Sequence, residues 1–364
     1  MGGRGAGPVR RYGDGVRGEY KVPGGKLVAV DVEIRDGALA DVHVSGDFFL
    51  EPDCALEDIG AALTGMPSDA TATDLARAVD AALGDDVAMV GFDAQSVGIA
   101  VRRAVGAATG WDDHTFDLIG PTVLDPLEHM ALDEVLSREV AEGRRGPLLR
   151  FWDWDSSVVI IGSFQSVRNE VDGEAAQRYG IRVARRISGG GAMFMEPGNC
   201  ITYSMVVPAS LVEGLSFEQS YAFLDSWVLD ALYDVGVSAR YVPLNDIASD
   251  KGKIGGAAQK RFVGGSVLHH VTMAYDIDAD KMSQVLRIGR EKLSDKGIPS
   301  ANKRVDPMRS QTGMARADII ASLMDSFRRG HRVHESGYAD AELAAARDLV
   351  RTKFSSQDWT HRVP

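Results

Sequence analysis

The 364-residue chain contains two cysteines, Cys54 and Cys200, far apart and in no CxxC or Cys/His cluster. That scarcity excludes a disulfide framework and a structural zinc site, and it fits a reducing cytoplasm. No apolar run approaches the roughly 20 residues that span a bilayer, so no membrane segment is expected. The first seventeen residues hold four arginines and one aspartate but no apolar stretch. They read as a disordered tail, residues 1–17, rather than as a signal peptide. With a net charge of −12 the chain lacks the positive excess that non-specific nucleic-acid binding requires. Neither GxxxxGK[ST] nor a clean GxGxxG occurs, so the usual nucleotide-binding fingerprints do not apply. No internal repeat is found.

What is present is an average globular composition, 45% hydrophobic and 25% charged, over a length that suggests two domains. The first module is acidic: residues 18–106 hold sixteen Asp or Glu against six Lys or Arg. Basic pairs gather later, at Arg185–Arg186, Lys260–Arg261 and Lys303–Arg304, so an acidic protein partner would dock on the second module. Two strands joined at Asp36–Gly37, helices near 54–64, 72–83 and 95–105, and a short strand between the last two make the first module a small α+β unit. A Gly/Ala-rich linker, 107–114, separates it from residues 115–364. There, strands alternate irregularly with helices, including a long helix near 216–235, which predicts an α+β sheet with helices packed on it.

Two stretches carry chemistry. RRISGGGAMF, residues 185–194, places three glycines behind two arginines. Backbone N–H groups left uncovered by side chains, next to two guanidiniums, form an anion site fit for a polyphosphate or an acyl-adenylate. NDIASDKGKIGGAAQK, residues 245–260, sets Lys253 among glycines, where its ammonium reaches a ligand unobstructed. One such cation can neutralise an α-phosphate and polarise an acyl carbonyl. Asp246 is placed to hold a magnesium ion or to orient Lys253. Other polar residues take plainer readings. One of His269 and His270 points inward from a strand, Glu128–His129 and Asp133–Glu134 serve helix surface and packing, and Cys200 is a buried thiol. Phe151, Trp152 and Trp154 read as core or groove wall.

The second module resembles the lipoate–protein ligase A family from about residue 116 to 360. LLRFWDWDSSVVIIGSFQ is similar to the family's paired strands ending in G-x-x-Q, and RRISGGGAMF to its RRxSGGGAVF loop. NDIASDKGKIGGAAQK is similar to its ND…KKISGSA segment, GGSVLHHVTM to its LHHGTLL strand, and LSDKGIPSANKRVDPM to a later K-G-I-x-S loop. The first module resembles the family's accessory domain, here fused in front, with KVPGGKLVAVDVEI…GDFFLEP matching its opening. Met195–Glu196 stand where the family usually has His-Asp. No cysteine stands near 241–246, where one octanoyltransferase subfamily carries its nucleophile, and the GRGRxG-type loop of biotin–protein ligases is missing.

The resemblance implies a biotin/lipoate ligase-like catalytic domain with a mixed sheet. It implies ATP contacts at Arg186, Gly191, Ala192, Met193, Phe194, Asn245, Asp246 and Lys253, with Mg2+ at Asp246. It implies lipoate contacts at Lys253, Gly189, Gly190, Gly256, Ala257 and His270, with an apolar tunnel for the dithiolane end. The implied activity is ATP-dependent: lipoate becomes lipoyl-AMP, and the lipoyl group passes to a lysine of apo lipoyl domains of 2-oxoacid dehydrogenase acyltransferase subunits or of glycine-cleavage H protein. Lys253 is the catalytic residue of that scheme, and a cytoplasmic monomer is expected. Two alternatives stay open. An ATP-independent octanoyl or lipoyl transferase would need a cysteine thioester, and a non-catalytic lipoate-binding module would release no pyrophosphate.

Overall fold

The computed structural model describes residues 15–84, 86–287 and 305–363. The expected tail therefore lies outside the described residues up to Asp14, and Val16 already opens a strand. Most of the LSDKGIPSANKRVDPM motif also lies outside them.

The chain forms two compact units: the residues up to Gly110 together with Ser210–Phe217, and Trp111–Ala209 together with Glu218 onward. In the first, strands β1 (Val16–Lys21), β2 (Leu27–Arg35) and β3 (Ala38–Gly46) form an antiparallel sheet in that order. The β2–β3 turn is the expected one: Asp36 and Gly37 both take positive φ, 52° and 78°, as a two-residue turn of the twist-matching kind requires. Strand β4 (Phe49–Glu51) precedes helices α1 (Ala55–Leu63) and α2 (Ala72–Ala82) and pairs with β5 (Ala88–Val90), and α3 (Ala94–Val105) follows. Arg103, 4% exposed, donates to the carbonyls of Glu19, Thr109, Leu211 and Glu213. One buried guanidinium thereby ties Ser210–Phe217 into this unit. No sequence feature separated that segment from the rest of the second module.

The second unit begins with β6 (Phe116–Leu124), α4 (Pro126–Ala141), β7 (Leu148–Trp154) and β8 (Val158–Ile161). Then come α5 (Val167–Glu170), α6 (Gly173–Arg178), β9 (Arg182–Arg185), β10 (Met193–Met195) and β11 (Cys200–Pro208). They are followed by α7 (Phe217–Leu224), α8 (Ser226–Asp234), β12 (Arg240–Val242), β13 (Asp246–Ala248), β14 (Lys253–Arg261) and β15 (Ser266–Ala274). Helices α9 (Ala279–Val285), α10 (Met308–Thr312) and α11 (Arg316–Gly330), strand β16 (Val333–Glu335), and helices α12 (Asp340–Leu349) and α13 (Gln357–Thr360) end the chain. The main sheet runs β12-β13-β14-β15-β11-β7-β6-β16 and is mixed: β6 lies parallel to both β7 and β16, and the other pairs are antiparallel. A smaller sheet, β10-β8-β9, stands apart from it. The architecture is the expected α+β one.

Two differences from the sequence reading have physical causes. The single long helix is broken at Asp225, whose carboxylate turns into the core to accept from Tyr203 and His269 instead of facing water. Helix α4 is buried all round from His129 to Ser137, so Asp133 and Glu134 are interior rather than surface residues and must find partners there.

Candidate functional site

The glycine turn is built by its arginines, though not in the expected way. Arg185 is fully buried and donates to the carbonyls of Gly162, Ser163, Gln165, Trp359 and Thr360, which staples the 162–165 loop and α13 to the end of β9. It faces no ligand. Arg186, 6% exposed, donates through Nε to Ser188 Oγ and through Nη2 to the carbonyls of Gly189 and Gly191. Both guanidiniums are engaged within the fold: Arg185 by backbone carbonyls, and Arg186 by Ser188 and the carbonyls of the turn. Burial lowers the Arg186 guanidinium to about 10, so it stays charged at neutral pH.

The turn nevertheless presents donors. A trans peptide is planar, with C=O and the following N–H pointing opposite ways. Tying the carbonyls of Gly189 and Gly191 to Arg186 therefore turns the N–H groups of Gly190 and Ala192 away from it. Neither N–H meets an acceptor among the described residues. Glycine is required here twice. Gly190 has φ +91°, and a Cβ on it would lie 2.8 Å from Arg186 Nη2; a Cβ on Gly162 would lie 2.1 Å from the Gly190 carbonyl oxygen. Met193 and Phe194, expected near ATP, enter β10; Phe194 is 2% exposed and packs into an apolar cluster with Val159, Ile161 and Val285, so only its backbone is on offer.

The second motif lies across one face of the sheet. Cross-strand partners share a face, and Ala258 pairs with His270 while Gly256 pairs with Thr272. A Cβ on Gly190 would stand 3.7 Å from Ala258 Cβ, so the glycine turn sits over the same face. Lys253 Nζ lies 2.8 Å from Asp246 Oδ1, with the lysine side chain 38% exposed. It would stand 2.9 Å from a Cβ on Gly256, so that glycine makes room for the ammonium. Two of the expected residues are placed otherwise. The Ala257 side chain belongs to the opposite face, with Val271, and Asn245 is held to the strand, its Nδ2 donating to the Ala257 carbonyl.

His270 leads to residues that the sequence reading missed. Its Nε2 is 2.7 Å from Ser188 Oγ and its Nδ1 is 3.1 Å from Asp133 Oδ2. Asp133 Oδ1 accepts from Arg150 at 2.6 Å, and Arg150 also donates to the His129 carbonyl and to Tyr338. Burial lowers the His270 imidazole below its ordinary value despite Asp133, so it is neutral at pH 7. Burial and the Arg150 charge lower His129 to about 3. A signal was available: Arg150 interrupts the apolar strand LLRFWDW, and a buried cation needs a counter-charge. Among the described residues no group of three or more His, Cys, Asp or Glu side chains is arranged to hold a metal ion. Cys54 is exposed in the first unit; Cys200 is buried, and desolvation raises its thiol to about 11.

Comparison with known proteins relates the chain to one family. Residues 125–328 match the sequence profile of the lipoyl protein ligase A/B catalytic domain. The chain is 29% identical over 241 residues to lipoate-protein ligase A subunit 1 of Thermoplasma acidophilum, across 63% of this chain and 90% of that protein. It is 26% identical over 273 residues to the octanoyltransferase LipM of Brevibacillus brevis, across 66% and 96%. Among solved structures, a bi-partite lipoate protein ligase of T. acidophilum, described with its E2 lipoyl domain, superposes with TM-score 0.60 at 27% identity, over 69% of this chain and 98% of that one. A lipoate-protein ligase A bound with ATP superposes with TM-score 0.59 at 25% identity, over 69% and 100%.

Proposed function

The chain belongs to the lipoyl protein ligase A/B catalytic domain family, and from that premise we propose that it is an ATP-dependent lipoate–protein ligase. The observation that carries the reading is the Lys253–Asp246 pair over Gly256, on the same sheet face as the free N–H groups of the glycine turn. Such a site stabilises charge and positions reactants; it supplies no nucleophile of its own.

In the first half-reaction the lipoate carboxylate attacks the α-phosphorus of ATP and pyrophosphate leaves. The N–H groups of Gly190 and Ala192 would take phosphate oxygens. Lys253, held by Asp246, would neutralise the α-phosphate and then polarise the acyl carbonyl. In the second half-reaction a lysine amine of an apo lipoyl domain, or of H protein, attacks that carbonyl and AMP leaves. Of the carboxylates expected to meet a metal, Asp246 offers one oxygen pair shared with Lys253. That fits a magnesium ion brought in with the phosphates better than a preformed protein cage.

The ATP-independent alternative draws support from the LipM relatives, which match at similar identity. Against it stands the placement of the two cysteines: Cys54 is exposed in the first unit, and Cys200 is buried. A thiol raised to about 11 and fully buried is nearly all protonated at neutral pH and unable to attack a thioester. The test is the intact mass of an apo lipoyl domain after incubation with the protein and lipoate, with and without ATP and magnesium. A lipoyl-sized gain that needs ATP supports the ligase. Acylation from an octanoyl-carrier protein without ATP overturns it.

A further inference from the structure

The ring of hydrogen bonds behind the glycine turn has one consistent direction. Arg186 Nε–H is shared between Ser188 Oγ and the Gly189 carbonyl, both at 3.1 Å. With that lone pair occupied, the Ser188 hydroxyl hydrogen is free for His270 Nε2 at 2.7 Å, which must then be the unprotonated nitrogen. The imidazole proton consequently sits on Nδ1 and points to Asp133 Oδ2 at 3.1 Å. Asp133 is locked from its far side by Arg150 at 2.6 Å. Exposures of 0% for Arg150, 2% for Asp133, 9% for His270, 1% for Ser188 and 6% for Arg186 remove water as a substitute partner. No member can rotate without leaving a buried donor or acceptor unpaired.

We propose that Asp133 and His270 are positioning residues for the glycine turn, acting through Ser188 on Arg186. This rests on the adenylation reading for its consequence but not for its geometry. The Ser188 oxygen sets where the Arg186 fork lies. The fork holds the carbonyls of Gly189 and Gly191, and the planar peptides then aim the N–H groups of Gly190 and Ala192 at the anion. The residues the sequence reading assigned to packing (Asp133) and to direct lipoate contact (His270) thus serve the phosphate side of the site from behind. This role explains why a charged pair lies inside a helix–sheet interface, where an apolar pair would pack as well.

The test combines a signature independent of activity with a kinetic split, on the full chain. Imidazole 15N spectra of the wild type should show His270 as the neutral Nδ1–H tautomer at pH 7. In Ser188→Ala, His270→Ala and Asp133→Asn, the amide signals of Gly190 and Ala192 should shift without any ligand present. Asp133→Asn leaves Arg150 buried without its counter-charge; where that variant does not fold, Ser188→Ala carries the decision alone. In lipoate-dependent ATP–pyrophosphate exchange, Ser188→Ala should raise the KM for ATP roughly tenfold, the loss of about one charged hydrogen bond, with kcat within about threefold. A merely structural role would lower the folded fraction, and so kcat, at unchanged KM. The proposal is overturned by the Nε2–H tautomer, by unmoved Gly190 and Ala192 amides in folded Ser188→Ala, or by an octanoyl adduct on Ser188, which would make that serine a nucleophile. Absence of exchange in the wild type with the expected amide shifts would instead sink the adenylation reading and leave the positioning role standing.

Discussion

His269 and His270 are neighbours on β15, both buried, both hydrogen-bonded to an aspartate, and they do different work. His269 points to the side of α8. Its Nε2 donates to Asp225 at 2.5 Å, its Nδ1 accepts from Gln259 at 3.1 Å, and Tyr203 shares the same carboxylate oxygen. Both His269 and Asp225 are 0% exposed, and the cluster ends in the core. His270 points to the opposite face, with the protons reversed: Nδ1 gives to Asp133 and Nε2 receives from Ser188. That cluster ends at a turn whose amides face outward. The difference teaches that a His–Asp pair acquires a role from where its chain of hydrogen bonds leads. Strand alternation alone decides the destination.

The comparison can be broken first on the site face. Lys253→Ala should lower lipoyl-adenylate formation about 10²- to 10³-fold, the usual effect of removing one charge-stabilising group, while circular dichroism and melting temperature stay those of the wild type. A loss of fold instead would move Lys253 into the structural class. Next comes the sealed face. Asp225→Ala leaves the Tyr203 hydroxyl and the His269 N–H without an acceptor in the core. Denaturant unfolding should show a stability loss of roughly 2–4 kcal/mol, with KM for ATP unaltered in the folded fraction. An ATP KM shift there would erase the distinction between the faces.

The site face should also be acid-sensitive. His129 and His270 both have imidazoles lowered below the ordinary value near 6.5, so the unfolded chain binds their protons first as pH falls. Their contribution is therefore complete above about pH 6.5 and declines below it. For His129, held at about 3, the loss at pH 5 is about 2 kcal/mol. Thermal midpoints measured from pH 7.5 to 5 should fall, and His129→Gln should flatten the slope; an unchanged slope would show the loss arises elsewhere. The smallest effect is expected at Cys200→Ser, about 1 kcal/mol of stability with lipoyl transfer intact. Abolished transfer in a folded Cys200→Ser protein would favour the thioester route.

Much of the fold was legible. The Asp36–Gly37 hairpin, the apolar strands and the capped helices are local features, and local residues specify them: Thr71 and Asp93 cap α2 and α3 through their own side chains. The glycine turn and Lys253 were legible too, because glycine beside cation is unusual enough to notice. The break at Asp225 was not, since a single acid in a helical pattern looks like surface until a tyrosine and a histidine from another strand claim it. Arg185 was misread for the same reason. Its guanidinium is defined by carbonyls up to 175 residues away in sequence.

The sequence by itself determined the α+β class, the element order, and the residue types able to bind a phosphate and an acyl carboxylate. Those follow from periodicity, turn chemistry and the donors each side chain carries. Only the tertiary structure decided how each of them is engaged. It turned both arginines of the turn inward to backbone, put Ala257 on the far side of the sheet, and recruited Asp133 and Ser188. The physical reason is that a buried polar group must satisfy its hydrogen bonds wherever partners exist, and those partners are set by strand register and helix packing, which bring together residues that no window of sequence shows side by side.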